Sequence, residues 1–427
     1  MVVQCEFLQS SYHTYIEENL DSFIVYFKEI FPFVQQVFVI IDQNVFLLQQ
    51  ERQREKHNSK NRQKSIFDIL ETSGIHYEII IHEPGEIAKS LSTYSNIITA
   101  IEHSKIRPDR STPILAFGGG VTGDLAGFVA ATLLRGVPLV QIPTTLLSMV
   151  DSSVGAKVAV NSIVGKNRVG SFYPPHMVYV SLDVLSTLES KEWRCGIGEV
   201  LKYALLLDDA YWDLVEQFAT SFDCQTSDRQ VEKASFLKEI VLRSIAYKND
   251  IVKKDPLEKS LRKSLNLGHS IGHVLERVAL DTNIEITHGE CVCFGVCWEL
   301  QYMVEHQNCD PSLLVEFRKI AERFQMPTDE SHLEWNTLCS KNLSLLALDK
   351  KNTHATRLTF EEDYGKVKQN NTESSDKESS NKESSNTVQR AKTVQKISLC
   401  CLQNKGNFHI KNIDIQDFIL FFQRRMT

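Results

Sequence analysis

The sequence predicts an α/β N-terminal domain with a parallel sheet, followed by a mostly α-helical C-terminal domain. Three observations carry this. Short β-branched runs recur at 37–41 (VFVII), 77–81 (YEIII) and Ile114–Phe117, the last ending directly in glycines. Helix-period stretches separate them. Beyond Pro174-Pro175, long apolar-periodic segments replace the strand pattern altogether.

Continuous apolar runs of four to eight residues, rather than alternating ones, read as strands buried on both faces, as in a parallel sheet. Ser65–Ser73 and Ile87–Glu102 supply intervening helices, and Leu139–Ile142 a further strand. This places an α/β domain at residues 1–180. In the domain 181–427, Glu192–Leu207, Phe236–Val252, Ser264–Val278 and Glu290–Glu305 have helical periodicity, and Ile397–Phe422 regains apolar character and returns to the helical domain. Two polar segments stand apart. Residues 49–64 (QQERQREKHNSKNRQK) read as a solvated loop or helix extension. Residues 366–396 lack Leu, Ile and aromatic side chains and repeat KESSN, so they cannot bury enough apolar surface to offset their ordering entropy and are predicted disordered.

With 427 residues, 42% hydrophobic and 24% charged, the chain has material for two cores. A net charge of -7 argues against a nucleic-acid or anionic-membrane partner, which calls for a basic field. The start MVVQCEFLQS lacks the basic and apolar regions of a secretory signal, and no apolar run reaches the roughly 18 residues of a membrane span. A soluble cytoplasmic protein is expected. Ten cysteines without a CxxC pair fit reduced thiols, and Cys291, Cys293 and Cys297 have the spacing of core packing on a helix.

Gly118-Gly119-Gly120-Val121-Thr122-Gly123-Asp124 follows a strand and precedes a helix-compatible run. Such a turn lets the backbone approach a pyrophosphate, which the helix N-terminus can stabilise. Gly118, Gly120 and Gly123 satisfy GxGxxG, but the next strand lacks the acidic residue that usually holds a ribose. Asp42, Pro84-Gly85-Glu86 leading to Lys89, and Pro143-Thr144-Thr145 also fall where strands end, the side on which open parallel sheets collect ligands. Each alone reads as turn or cap chemistry; together they point to a nucleotide.

His269 and His273 stand four residues apart on one helix face; His288 follows Thr287, and Glu199 lies in a separate helical segment. One carboxylate and two imidazoles make an open three-ligand site of the kind a catalytic metal needs, although spacing alone does not choose between His269 and His273. Arg135, Lys157, Lys166, Asn167, Lys202, Lys248, Arg262, Asn266, Lys350 and Lys351 are interleaved with these segments. Singly each is an ordinary surface residue; as a set they suit a small substrate bearing carboxylate and phosphate.

Taken in order, FGGGVTGDLAGFVAA, RGVPLVQIPTTLLSMVDSSVGAK, GKNRVGSFYPP, GIGEVLKYALL, LRKSLNLGHSIGHVLE and THGE resemble 3-dehydroquinate synthases, of the sugar phosphate cyclase superfamily, across roughly residues 35–305. The resemblance implies NAD and a divalent metal, zinc or cobalt, in a cleft between an NAD-binding α/β domain and a helical metal- and substrate-binding domain, and a homodimer. It implies a cyclisation with phosphate elimination, converting 3-deoxy-D-arabino-heptulosonate 7-phosphate to 3-dehydroquinate in the shikimate pathway.

Position by position, Glu199, His269 and His288 correspond to metal ligands and His273 to a substrate contact. Asp42, Pro84, Gly85, Glu86, Ile87, Ala88, Lys89, Gly120, Val121, Thr122, Gly123, Asp124, Thr144, Thr145, Lys157, Lys166, Val184, Leu185, Ser186 and Thr187 correspond to NAD contacts. Arg135, Asp151, Lys157, Asn167, Lys202, Lys248, Arg262, Asn266 and one of Lys350 or Lys351 correspond to the substrate's surroundings. The family's paired glycines in DSSxGGK are Gly155-Ala156 here, residues 49–64 are extended, and an insertion follows Asp349–Asn352. A sister cyclase of the valiolone or deoxy-inosose type and a metal-dependent polyol dehydrogenase are the rival readings. The basic cluster favours a substrate with a carboxylate.

Overall fold

A computed structural model describes residues 1–54, 63–163, 165–222, 227–282, 284–348 and 396–426. Lys350, Lys351 and all but the last residue of the 366–396 stretch lie outside them; Lys396 begins a strand.

The sheet-forming strands are β1 (Val2–Phe7), β2 (Ser10–Glu17), β3 (Gln36–Asp42), β4 (His76–His82), β5 (Ile114–Gly118), β6 (Leu139–Pro143) and, after the hairpin β7 (Lys157–Ser162) and β8 (Gly165–Phe172), β9 (Met177–Ser181). They form one seven-stranded sheet in the order β1-β2-β9-β6-β5-β3-β4. Only the β1–β2 pair is antiparallel. That N-terminal hairpin, β9 and the β7–β8 hairpin were not anticipated.

Helices α1 (Phe23–Ile30), α2 (Gln43–Arg54) and α3 (Ile66–Thr72) and helices α4 (Leu91–His103) and α5 (Gly120–Thr132) complete the α/β half. Side-chain alternation explains their placement. Val37, Val39, Ile41, Leu115 and Phe117 pack with Phe23, Phe27 and Phe67 on one face, whereas Phe38, Ile40, Ile114 and Ala116 pack with Ile97, Ile101, Leu125 and Val129 on the other. Both faces are therefore covered, and each such Val, Leu, Ile or Phe side chain contributes roughly 1.5–3 kcal/mol. The expected helix at Ile87–Glu102 begins later, at Leu91, because Ser90 caps it by accepting from the Thr93 N–H at 3.1 Å.

Within the polar stretch 49–64, Gln49 departs from the expected solvated character. It is buried in α2, and its Oε1 accepts from the Ile66 N–H at 3.0 Å. Arg52 in the same helix pairs with Asp183 at 3.2 Å. Residues 55–62 fall outside the described residues.

The second half contains α6 (Ser190–Leu206), α7 (Asp209–Phe222), α8 (Ser227–Lys254), α9 (His269–Thr282), α10 (His288–His306), α11 (Pro311–Arg323) and α12 (Leu333–Asn342), then β10 (Lys396–Asn404), β11 (Asn407–Asp414) and α13 (Ile415–Met426). Ile397–Phe422 thus rejoins the helical core, but mostly as an antiparallel hairpin. Ile397, Leu399 and Cys401 face one cluster and Cys400 and Leu402 another, so the segment is buried on both sides. Cys291, Cys293 and Cys297 are buried in α10, as packing residues should be. Asn249 of α8 accepts from the Glu6 N–H at 2.8 Å, tying the halves at the sheet edge. Among the described residues no helix is long and apolar enough to cross a membrane.

Candidate active site

Parallel pairing puts the carboxyl ends of the strands on one rim. Asp42 is level with His82 across β3–β4, and Gly118 with Pro143 across β5–β6. The chain moves outward in opposite directions from the β3–β5 junction, which makes it the topological switch point where an open sheet leaves a crevice.

The glycine turn opens at this crevice. β5 ends at Gly118, Gly119 caps α5, and the first amides of α5 have no partner within their own helix. A Cβ on Gly119 would lie 3.1 Å from Thr145 Cγ2, and one on Gly120 3.0 Å from Ser152 Oγ, so side chains there would fill the cradle. Gly118 has a different reason: its Cβ would meet Thr122 Oγ1 at 2.2 Å. Thr122 in turn hydrogen-bonds His82 Nε2 at 2.9 Å, and Lys89 forms a buried ion pair with Asp124. The cradle is backbone N–H on a rigid support, which fits the pyrophosphate of a dinucleotide.

The other rim residues lie around it. Asp42 Oδ1 caps α2 by accepting from Asn44 N–H at 2.8 Å, and Thr144 N–H donates to Gly118 O at 3.0 Å. Pro84 to Ala88 form a short turn with Gly85 at φ 87°, and Glu86 accepts from Asn161 Nδ2 at 2.7 Å. Val184 and Leu185 are buried at the turn after β9; Ser186 and Thr187 donate to the carbonyls of Asp183 and Val184 at 2.6 and 3.1 Å.

A second constellation forms where α6, α9 and α10 meet. Glu199 Oε1 lies 3.6 Å from His269 Nε2 and 3.6 Å from His288 Nε2. Ligands about 2.1 Å from a tetrahedral ion stand about 3.4 Å apart, so these spacings suit a common cation. Oε1 is buried and makes no hydrogen bond, an arrangement that wants a positive partner. Among the described residues, this trio is the group with metal-site geometry. His273 stands beside it, its ring centroid 5.3 Å from that of His269 and 6.4 Å from that of His288.

Small residues make the convergence possible. A Cβ on Gly198 would lie 2.2 Å from Gly289 O, and one on Gly289 2.0 Å from Cys195 O, so α6 and α10 touch backbone to backbone. The Thr287–Glu290 capping box starts α10 at His288, and Arg194 of α6 donates to Glu290 at 2.7 Å.

Charge is balanced tightly here. Burial works against the Glu199 carboxylate, but Lys202 and the His288 imidazole together outweigh it and hold the pKa low. Burial also disfavours charged His288, yet Glu199 and Glu276 raise its pKa to about 10. Glu276, itself held low against burial by His288 and Lys166, lies 3.7 Å from His288 Nδ1 and accepts from Lys166 at 2.9 Å.

Basic residues extend from the trio toward the glycine turn. Lys202 donates to Leu265 O at 2.8 Å; Lys248 lies 3.0 Å from Asp151 Oδ1, which also accepts from Tyr203 OH at 2.5 Å. Arg262 donates to Gly155 O at 2.9 Å, while Lys157 and Asn266 both reach Glu258. Asn167, at φ 54°, donates its N–H to Asn161 at 2.8 Å. Arg135 is different. It follows the C-terminal end of α5, about 20 Å of helix from the glycine turn, and is exposed.

Sequence reasoning passed over Tyr203, Glu258, Glu276 and Glu299. Glu276 had a signal: it lies three residues after His273 on the same helix, hence on a neighbouring face.

Residues 79–195 match the family described as 3-dehydroquinate synthase N-terminal, and 196–352 the family described as 3-dehydroquinate synthase C-terminal. The 3-dehydroquinate synthase of Leptospira interrogans is 39% identical over 298 residues, covering 68% of this chain and 78% of that protein. That of Caldanaerobacter subterraneus is 38% identical over 316 residues, 74% and 81% of the two chains. Among solved structures, 2-deoxy-scyllo-inosose synthase complexed with carbaglucose-6-phosphate, NAD+ and Co2+ has a TM-score of 0.69 at 20% identity, covering 99% of both chains. The 2-epi-5-epi-valiolone synthase of Streptomyces hygroscopicus, with NAD+ and Zn2+ bound, has a TM-score of 0.67 at 20% identity, covering 98% of this chain and 99% of that one. At such identity these two establish a shared fold.

Proposed function

The chain belongs to the 3-dehydroquinate synthase family, and from that premise we propose that it converts 3-deoxy-D-arabino-heptulosonate 7-phosphate to 3-dehydroquinate and phosphate. The single observation that carries the reading is the approach of Glu199, His269 and His288 to one another beside a buried set of Lys and Arg donors. A run of neighbours links the three groups: Gly120 lies against Ser152, Asp151 pairs with Lys248 and accepts from Tyr203, and Lys202 pairs with Glu199.

When bound, NAD supplies reversible acceptance of a hydride and a zinc or cobalt ion supplies Lewis-acid polarisation of a substrate oxygen. The chain's own groups do the rest. Gly120 to Asp124 and Thr144-Thr145 would cradle the dinucleotide, and Asp42, Pro84 to Lys89, Lys166 and Val184 to Thr187 would supply its further contacts. Glu199, His269 and His288 hold the ion. Lys157, Lys248, Arg262 and Asn266 receive the anionic groups of the substrate: Glu258 and backbone carbonyls satisfy these donors, and a phosphate or carboxylate offers them shorter charge-assisted bonds. His273, beside the trio, is the group suited to hold and move a proton, while Asp151 stays charged, because Lys248, Lys202 and the Tyr203 hydroxyl together outweigh the cost of its burial, and orients Lys248 and Tyr203. Asn167, Lys202 and one of Lys350 or Lys351 belong to the same substrate set by family correspondence; Arg135, assigned to it by the same correspondence, stands exposed beyond the far end of α5 and is not brought to this cluster within the chain.

The assembly proposed is a homodimer and the location cytoplasmic. Light scattering of the purified protein checks the first.

The test is substrate choice. Purified protein with NAD and Co2+ is offered the heptulosonate phosphate, sedoheptulose 7-phosphate and glucose 6-phosphate in turn, and phosphate release is followed. Turnover with the first alone supports the proposal. Turnover confined to either of the others would assign a sister cyclase instead.

A further inference from the structure

We propose that Glu299 is a positioning residue for His269, fixing the imidazole that faces Glu199. The inference rests on the metal reading of the trio given above.

Glu299 lies in α10 and is fully buried. Its Oε2 accepts from the Gly268 N–H at 3.0 Å and its Oε1 from the Ser270 N–H at 3.2 Å. These are the two amides on either side of His269, so one carboxylate grips the backbone from which that imidazole projects. Both amides belong to the start of α9, where a negative charge is favoured by the helix dipole.

The same turn is pressed onto that same face of α10. Gly268 has φ 79°, and a Cβ there would meet Val296 Cγ2 at 2.5 Å and Val292 O at 2.6 Å. A Cβ on Gly295 would lie 2.0 Å from Gly268 O. Close packing sets the distance between turn and helix, and the two carboxylate bonds set its rotation.

Rotation matters because His269 is held through its own backbone. Its Nδ1 lies 3.1 Å from Leu267 O, and a carbonyl can only accept, so Nδ1 carries the proton. Nε2 is then the nitrogen that carries the lone pair, 3.6 Å from Glu199 Oε1. Tilting the Leu267–Ser270 turn would swing Nε2 out of the trio without removing a ligand. Burying a carboxylate is a costly way to cap a helix, and holding a ligand's backbone at two points is a function that a single-oxygen cap would not perform.

The experiment uses metal-free full-length protein. Co2+ is titrated against a competing chelator, the absorption of bound Co2+ is recorded, and the apo-protein is melted, for wild type, Glu299→Gln, Glu299→Asp and His269→Ala. Glu299→Gln turns one acceptor into an NH2 group facing an amide N–H; Glu299→Asp keeps the charge but shortens the reach. The expected result is Co2+ affinity weakened by about 10- to 100-fold in Glu299→Gln, with an altered Co2+ spectrum, and weakening in Glu299→Asp as well. If Glu299→Gln does not fold, the Asp variant is read by the same criteria. Wild-type affinity and spectrum in a folded variant, even with a lower melting temperature, would make Glu299 a structural cap and overturn the inference. Absence of Co2+ binding by wild type itself would instead overturn the metal reading beneath it.

Discussion

Lys166 on β8 and Glu276 on α9 form an ion pair at 2.9 Å, joining the hairpin of the α/β half to the helix that carries His269 and His273. Glu276 also faces His288 Nδ1, so one carboxylate touches both the proposed dinucleotide side and the proposed metal side. Glu276→Gln is expected to weaken Co2+ binding about tenfold through His288 while leaving NAD affinity within about twofold. Lys166→Met is expected to weaken NAD binding more than Co2+ binding. Equilibrium titration of each ligand checks both, and unchanged Co2+ affinity in Glu276→Gln would contradict the placement.

The two α9 histidines should separate in a metal assay. His269→Ala is expected to lose stoichiometric Co2+ and all turnover. His273→Ala, whose imidazole stands outside the trio, should retain Co2+ and lose turnover. Metal analysis after dialysis reads the difference; equal metal content in both variants would contradict the ligand set.

Gly289→Ala tests the backbone contact of α6 and α10. Its Cβ would sit 2.0 Å from Cys195 O, an oxygen that cannot rotate away. Overpacking of this kind costs about 1–3 kcal/mol, and here it also parts Glu199 from His288. Lower thermal stability together with weaker Co2+ binding is expected; a melting temperature equal to wild type would contradict the close approach.

Much of this arrangement was legible in the sequence. Unbroken apolar runs disclosed β3, β5 and β6 because an interior parallel strand buries both faces, whereas β4, at the sheet edge, showed only Ile79–Ile81 and leaves Ile81 exposed. The β1–β2 and β7–β8 hairpins were hidden because Ser10–Glu17 and Gly165–Phe172 are half polar and lack such runs. Ile397–Phe422 was assigned to the helical domain on apolar character alone, and its strands were hidden because a strand between two cores loses its alternation at Cys400, Cys401 and Leu402. His269 and His288 could be suspected from their type, but their nearness to Glu199 depends on Gly198 and Gly289 packing, which is a tertiary fact. Glu299 gave no signal, since a carboxylate in a helix ordinarily faces water.

Asp255 gives a pH prediction. Burial works against its carboxylate, but the N–H groups of Lys259, Ser260 and Arg262, at 2.9, 2.7 and 3.0 Å, outweigh it and hold the pKa below the usual value. A group lowered in the folded state stabilises above its unfolded pKa, about 3.9, and loses that contribution as pH falls. Unfolding free energy should therefore drop between about pH 5 and pH 3 in wild type, and drop less steeply in Asp255→Asn. Parallel acid limbs for the two proteins would contradict this.

The central claim, a cyclase that eliminates phosphate while regenerating its dinucleotide, is tested most directly by stoichiometry. With limiting NAD, Co2+ and excess 3-deoxy-D-arabino-heptulosonate 7-phosphate, phosphate and NADH are measured together over many turnovers. Phosphate is expected to exceed the NAD supplied many times over, with no net NADH. NADH accumulating without phosphate release would contradict it and indicate a simple dehydrogenase.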